Sequence, residues 1–184
     1  MSAITPASVQ PGTYNIDPAH SRVGFAVKHM GISTVHGNFN KFEGTIEASD
    51  GALKLGGTVE VASLNTGDEN RDNHLQTPDF FDAAQFPQIT FHSTELDGSS
   101  AGDLKLRGEI TIKGITKPIE LTGQLSEGGQ DPWGNERIGI EVEGKVDRRE
   151  FGLQFNQTLP GGNLLVSNEV KLIISVSAAK ANAQ

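Results

Sequence analysis

Along most of this chain apolar and polar residues alternate one by one, the period of a strand with one face in a core and the other in water. Leu104, Leu106, Gly108, Ile110 and Ile112 interleave with Lys105, Arg107, Glu109, Thr111 and Lys113. Ile138, Ile140, Val142, Gly144 and Val146 repeat the pattern against Arg137, Glu141, Glu143, Lys145 and Asp147. Similar runs occur at Val23–Phe25–Val27, Val35–Gly37–Phe39, Leu53–Leu55–Gly57–Val59–Val61, Ile89–Phe91, Ile119–Leu121–Gly123–Leu125 and Val170–Leu172–Ile174. About eight strands, each wet on one face only, are satisfied by an antiparallel sheet closed on itself, which removes both edges. The expectation is an all-β fold, an eight-stranded antiparallel, lipocalin-like barrel.

Turn chemistry supports successive hairpins. Two-residue turns at Asp50-Gly51 and Ile115-Thr116 would set Gly44 opposite Gly57, Phe42 opposite Val59 and Gly108 opposite Gly123. The apolar phase slips by one residue between Phe39 and Phe42, so Asn40-Lys41 reads as a bulge. Gly98-Ser99-Ser100 and Gly161-Gly162-Asn163 punctuate loops, and residues 128–135 read as a longer loop carrying the only tryptophan, Trp133. Thr66 to Phe86 breaks the alternation and carries helix-start signals. Thr66 with Glu69 fits a capping box, and Thr77-Pro78 fits an N-cap followed by proline. One or two short helices are expected there, between the third and fourth strands, with Leu75, Phe80, Phe81 and Phe86 turned toward the barrel. Residues 1–12 read as a flexible arm and 179–184 as a tail, leaving 13–178 as one domain.

The 184 residues include no cysteine, which excludes disulfides, and the formal net charge of −8 argues against a nucleic-acid binder. No apolar run is long enough to span a bilayer as a helix. The first residues lack the basic and apolar regions of a secretory signal, so a cytoplasmic location is expected, or a periplasmic or secreted one if a leader has been removed.

An eight-stranded barrel is either filled by its own side chains or holds one small ligand. Gly37, Gly44, Gly57, Gly108, Gly123 and Gly144 all fall in the inward phase. Two readings stand: a lumen left locally wide, or sharp bends and close backbone approaches in the wall. The remaining inward residues suit a hydrocarbon: Val23, Phe25, Val27, Phe39, Phe42, Ile46, Phe80, Phe81, Ile89, Phe91, Leu106, Ile110, Ile112, Leu121, Ile138, Ile140, Val142 and Leu172. Basic residues at strand ends or in the insert are candidates to meet a head group at the rim: Arg22, Arg71, His74, Arg148 and Arg149.

Catalytic chemistry finds little support. His29 and His36 flank a tight turn, but their strand phases put them on opposite faces, so no metal site is expected. The acids are scattered along outer faces, and no nucleophile elbow, P-loop or zinc-helix motif occurs. No catalytic residue and no obligatory cofactor are expected.

Several segments in order resemble the YceI family of lipocalin-like, polyisoprenoid-binding proteins. They are Tyr14 to Ser21, Val23 to His29, Val35 to Phe39, Asn70 to Leu75 with Phe80-Phe81-Asp82, Phe86 to Ile89, Leu106 to Pro118, and Arg149 to Leu153. The resemblance implies an extended barrel with a helical insert near its rim, a long isoprenoid, quinone-like or related lipid in the lumen, and a homodimer. The function expected is carriage or storage of that lipid. The alternatives are an enzyme acting on an isoprenoid at the rim through His20 or His74, or a stress-linked interaction protein with a filled core.

Overall fold

In the computed structural model, residues 9–49, 52–98 and 102–181 are described, and their alternating segments form one antiparallel sheet. The strands are β1 (Gly12–Ile16), β2 (Arg22–His29), β3 (Ser33–Phe39), β4 (Phe42–Ser49), β5 (Ala52–Glu60), β6 (Leu64–Asn65), β7 (Gln88–Gly98), β8 (Asp103–Ile112), β9 (Ile115–Gln130), β10 (Glu136–Asp147) and β11 (Val166–Lys180). β1 and β2 pair one after the other along the same edge of β11, with Ile16 opposite Ala178 and Arg22 opposite Ser175. They are two halves of one wall strand, interrupted by the 3-10 turn Pro18–His20. β4 pairs with β1 and β3 with β2, so these are the halves of the next wall strand. With β5, β7, β8, β9, β10 and β11 they make eight walls, and the β1–β11 pairing closes the ring. The fold is the expected eight-stranded antiparallel barrel, with β6 a two-residue addition beside β3.

Asn40-Lys41 is a break rather than a bulge. The chain changes partners there: the Asn40 amide donates to the Ser63 carbonyl, and the Lys41 carbonyl accepts from the Glu60 amide. The β8–β9 turn is Lys113-Gly114, not Ile115-Thr116, because Ile112 pairs with Ile115. Lys113 and Gly114 have φ of 52° and 76°, the left-handed values a tight hairpin turn demands and β-branched Ile115 and Thr116 resist. Gly108 therefore faces Ile119, and Gly123 lies between Leu104 and Val142. Asp50-Gly51 and Ser99-Ser100 lie outside the described residues, but the register beside them does set Gly44 opposite Gly57 and Phe42 opposite Val59.

The insert between β5 and β7 holds one helix, α1 (Glu69–Leu75). Its N-cap is Asp68, whose carboxylate accepts from the Arg71 amide at 3.0 Å. Thr66, the anticipated cap, instead donates its hydroxyl to Asp72 at 2.5 Å and accepts from Arg71 Nε at 2.7 Å. Thr77-Pro78 opens a series of turns, not a second helix, with the Thr77 carbonyl accepting from the Phe80 and Asp82 amides. The wall also extends beyond its expected bounds. Gly12 belongs to β1 and Ala179 and Lys180 to β11, while β9 runs on to Gln130 and shortens the Trp133 loop to 131–135.

The two ends of the barrel differ. Around the Trp133 loop the interior is solid: Tyr14, Ile46, Ala48, Leu53, Leu96, Leu104, Ile138 and Ala178 are all buried. The other end is roofed by the insert and by residues 148–165. Lys113 ties the two roof segments together, donating to the Pro78 carbonyl at 3.0 Å and the Gly152 carbonyl at 3.3 Å.

Candidate ligand cavity

Beneath that roof the barrel is hollow. A cavity of about 220 Å³ has an almost wholly apolar wall. Val23, Phe25 and Val27 of β2, Phe39 of β3 and Phe42 of β4 border it on one side. Ile89 and Phe91 of β7, Leu106, Ile110 and Ile112 of β8, Leu121 of β9, Ile140 and Val142 of β10 and Leu172 of β11 continue the wall. Period-two alternation puts these residues inward, and the ring closure makes their faces converge. Phe80 and Phe81 of the insert close the roof, with Phe39 lying 5.8 Å from Phe25 and 6.1 Å from Phe81 between ring centres.

Ile46 and Ile138 do not reach the cavity. Both point inward as expected, but they sit in the packed end, with Ile46 opposite Tyr14 and Ile138 opposite Ala178. Phe86 also misses it and lies against the β8–β9 turn, where a Cβ on Gly114 would come within 2.8 Å of its ring. Conversely, Phe151 and Leu153 line the cavity although nothing alternates around them. They are delivered by the 3-10 turn Arg148–Phe151, which ends at left-handed Gly152, a glycine that was the one local sign of a turned chain.

Of the six inward glycines only Gly57 borders the cavity, and the others do not widen it. A Cβ on Gly37 would collide with the Phe25 ring, nearest its Cζ, and one on Gly144 would fall 2.5 Å from Leu121 Cδ2. On Gly108 it would strike the His92 carbonyl and the Phe91 ring, and on Gly123 the Glu141 carbonyl. Gly44 and Gly57 mark close approach of β4 and β5, each Cβ position falling within 3.0 Å of the other strand's backbone. The bend-and-approach reading holds, and the cavity is made by side chains that stop short. Where β1 parts from β4 the ladder ends at Asn15 and Thr45. There Ile16, Glu43 and Thr45 border both the cavity and an open groove beside it.

Of the basic head-group candidates, only Arg148 borders the cavity. Its side chain is buried and donates to three carbonyls: Nε to Ser167 at 2.9 Å, Nη1 to Leu153 at 2.6 Å and Nη2 to Val166 at 3.3 Å. Burial pushes its pKa down, and neighbouring Asp147 pulls the other way. Arg22 is exposed and held by Asn38 at 2.5 Å. Arg71 is spent on the Thr66 hydroxyl and carbonyl. Arg149 pairs with Asp147 at 2.6 Å and holds that carboxyl at about 2. His74 sits on the roof's outer side, 2.9 Å from Asp79 and edge-on to Phe80 and Phe155. Long side chains at strand ends read alike in sequence, and only the backbone carbonyls around Arg148 single it out.

His20 is exposed beside Asp17, and the register puts His29 opposite Ser33 and His36 opposite Ala26, on opposite faces of the wall. Among the described residues no group of three or more histidines or carboxylates is arranged to hold a metal ion.

The YceI-like domain model matches residues 14–178. This chain belongs to the YceI family. Protein YceI of Salmonella arizonae is 37% identical over 181 residues, 96% of this chain and 91% of the relative. The crystal structure of the Campylobacter jejuni YCEI protein superposes with a TM-score of 0.71 at 33% identity, covering 84% of this chain and 90% of the other. A polyisoprenoid binding domain from Saccharophagus degradans, implicated in plant cell wall breakdown, shares the fold at 14% identity. Its TM-score is 0.66, covering 94% of this chain and all of that domain.

Proposed function

We propose that this YceI-family protein binds one long apolar lipid, an isoprenoid of polyprenyl or quinone-like type, in the barrel lumen, and carries or stores it. The observation that carries the reading is the apolar cavity of about 220 Å³ in one half of an otherwise closed barrel. A filled-core interaction protein has no use for such a space. The family membership and the polyisoprenoid-binding neighbour support the ligand class. A cavity of roughly 150 Å³ admits a benzene-sized molecule, so the space takes a short apolar segment at once and a longer chain as the Phe25, Phe39, Phe81 and Phe91 rings turn aside. About twenty carbons at ~0.8 kcal/mol each contribute roughly 16 kcal/mol, enough to offset association costs of ~4–15 kcal/mol, whereas a short hydrocarbon is not. Binding rather than catalysis is favoured because His20 and His74, the residues through which a rim enzyme was expected to act, stand off the cavity wall.

Native mass spectrometry of the purified protein, followed by solvent extraction, tests this. A stoichiometric isoprenoid or quinone is the expected result. A clean apo mass with no uptake of added prenyl lipids would sink the carrier reading.

A further inference from the structure

We propose that Arg148 anchors an acidic head group, a carboxylate or a phosphate ester, inside the cavity, so that the preferred ligand is an anionic lipid and not its neutral counterpart. This rests on the lumen being the lipid site.

A guanidinium carries five N–H donors in a fixed plane. Three of them are committed to the carbonyls of Leu153, Val166 and Ser167, and the other two find no acceptor among the described residues. The side chain is only 5% exposed and stands on the cavity wall. Its sequence neighbour Asp147 is engaged by Arg149 at 2.6 Å, and no ion pair among the described residues includes Arg148. Among the described residues the one carboxylate on the cavity wall is Glu43 of β4, which makes no bond to it. The protein has therefore buried a cation beside an apolar lumen with no carboxylate in contact, Asp147 acting on it only at longer range, an arrangement that is costly unless something else brings a partner to the guanidinium.

The three carbonyls do more than offset burial. They come from both sides of the roof segment, one from Leu153 and two from the start of β11. That grip keeps the guanidinium from swinging out to water and leaves part of its donor fork for a planar oxyanion, the geometry in which arginine outperforms lysine. An anion bound there gains charge-assisted hydrogen bonds in a low-dielectric pocket, where they are strong. Among the described residues no other basic side chain borders the cavity to compete for the head group.

The test is a pair of matched titrations on lipid-stripped protein: palmitate against hexadecanol, and geranylgeranyl phosphate against geranylgeraniol. Each acid should bind about tenfold to a hundredfold tighter than its alcohol, the range of a buried charge-assisted hydrogen bond. Whichever acid shows the larger advantage distinguishes a carboxylate from a phosphate source. Arg148→Met should collapse the ratio by weakening the acid far more than the alcohol, and Arg148→Lys should restore part of it. A ratio near one in the parent protein, or a ratio that survives Arg148→Met, overturns the proposal while the lumen reading stands. Should neither acid nor alcohol bind, both fall. If the methionine variant does not fold, the parent's own pH profile decides. The advantage of palmitate must fade as its carboxyl protonates while hexadecanol is unaffected, and a flat profile would reject the anchor.

Discussion

The two halves of this barrel share one alternating pattern yet end as different materials. Toward the Trp133 loop, Tyr14, Ile46, Ile138 and Ala178 interdigitate until Ile46 and Ala178 are wholly buried. Toward the insert, side chains of the same type, among them Val23, Leu172 and Ile174, pack against the core on one flank and a void on the other. Apolar identity alone does not make a cavity. What separates the halves is what caps them. The packed end has β1 in its wall and is tied by Arg137, which bonds Asp131, Asp17 and Ser177 at once. The hollow end is covered by chain that lies over the opening without filling it, and Lys113 links its two pieces at Pro78 and Gly152.

The largest expected effect separates the halves directly. Ile46→Ala opens a hole in a site with no room to collapse, and should cost about 2–5 kcal/mol in urea unfolding. Ile174→Ala, with the cavity already beside it, should fall at or below the lower end of that range and should change lipid affinity, which Ile46→Ala should not. Equal stability losses would mean that the hollow half is as tightly packed as the other, and the comparison would break.

That contrast also explains which parts of the molecule the sequence disclosed. Period two tells which face a residue takes, so the inward sets on β2, β7, β8 and β10 were legible, as was the register that puts Gly44 opposite Gly57. It does not tell how far along the barrel a residue lies, which is why Ile46 and Ile138 carry the same signal as Ile140 and end in a different place. The β8–β9 turn lies two residues before the expected Ile115-Thr116, because Gly114 takes a positive φ cheaply and β-branched residues do not. The roof was least legible. Phe151 and Leu153 come from turned chain with no period, and a buried arginine is written with the same letter as an exposed one.

A smaller effect tests the glycines, whose roles also divide. Gly37→Ala puts a methyl where the Phe25 ring lies and should cost about 1–3 kcal/mol of overpacking, recovered in part by Phe25→Leu, which frees the same space. Gly56 is out of phase with the inward Leu55 and Gly57 and borders the groove where it meets the cavity, and the nearest atom to a new Cβ there is the Phe91 carbonyl oxygen at 3.7 Å. Gly56→Ala should be neutral or stabilise by about 0.4–1 kcal/mol through the unfolded chain. Thermal denaturation of the three variants decides it, and a Gly37→Ala protein as stable as the parent would mean that the Phe25 ring is free to leave its place. Gly108→Leu is a poor probe of the lumen by comparison, since its Cβ meets the His92 carbonyl before any ligand.

The smallest effect concerns charge, and it sharpens the contrast between the caps. Asp131 at the packed end and Asp147 at the hollow end are both held at about 2, the first chiefly by Arg137 and the second chiefly by Arg149. A carboxyl whose folded pKa lies below its unfolded value near ~3.9 adds stability that is present in full above that value and is lost as pH falls toward the folded one. Arg137→Met and Arg149→Met should therefore each destabilise most above about pH 4, with the penalty shrinking between about pH 4 and about pH 2. The sizes should differ. Asp131 is only 6% exposed and its arginine also holds Asp17 and Ser177, joining three separate segments. Asp147 and Arg149 are two residues apart and largely open to water, where screening leaves little net gain. Urea midpoints at about pH 7 and about pH 3 should show a clear, pH-dependent loss for Arg137→Met and almost none for Arg149→Met. Equal losses would show that the hollow end's cap rests on its local ion pair as much as the packed end rests on its network, against the division drawn between them.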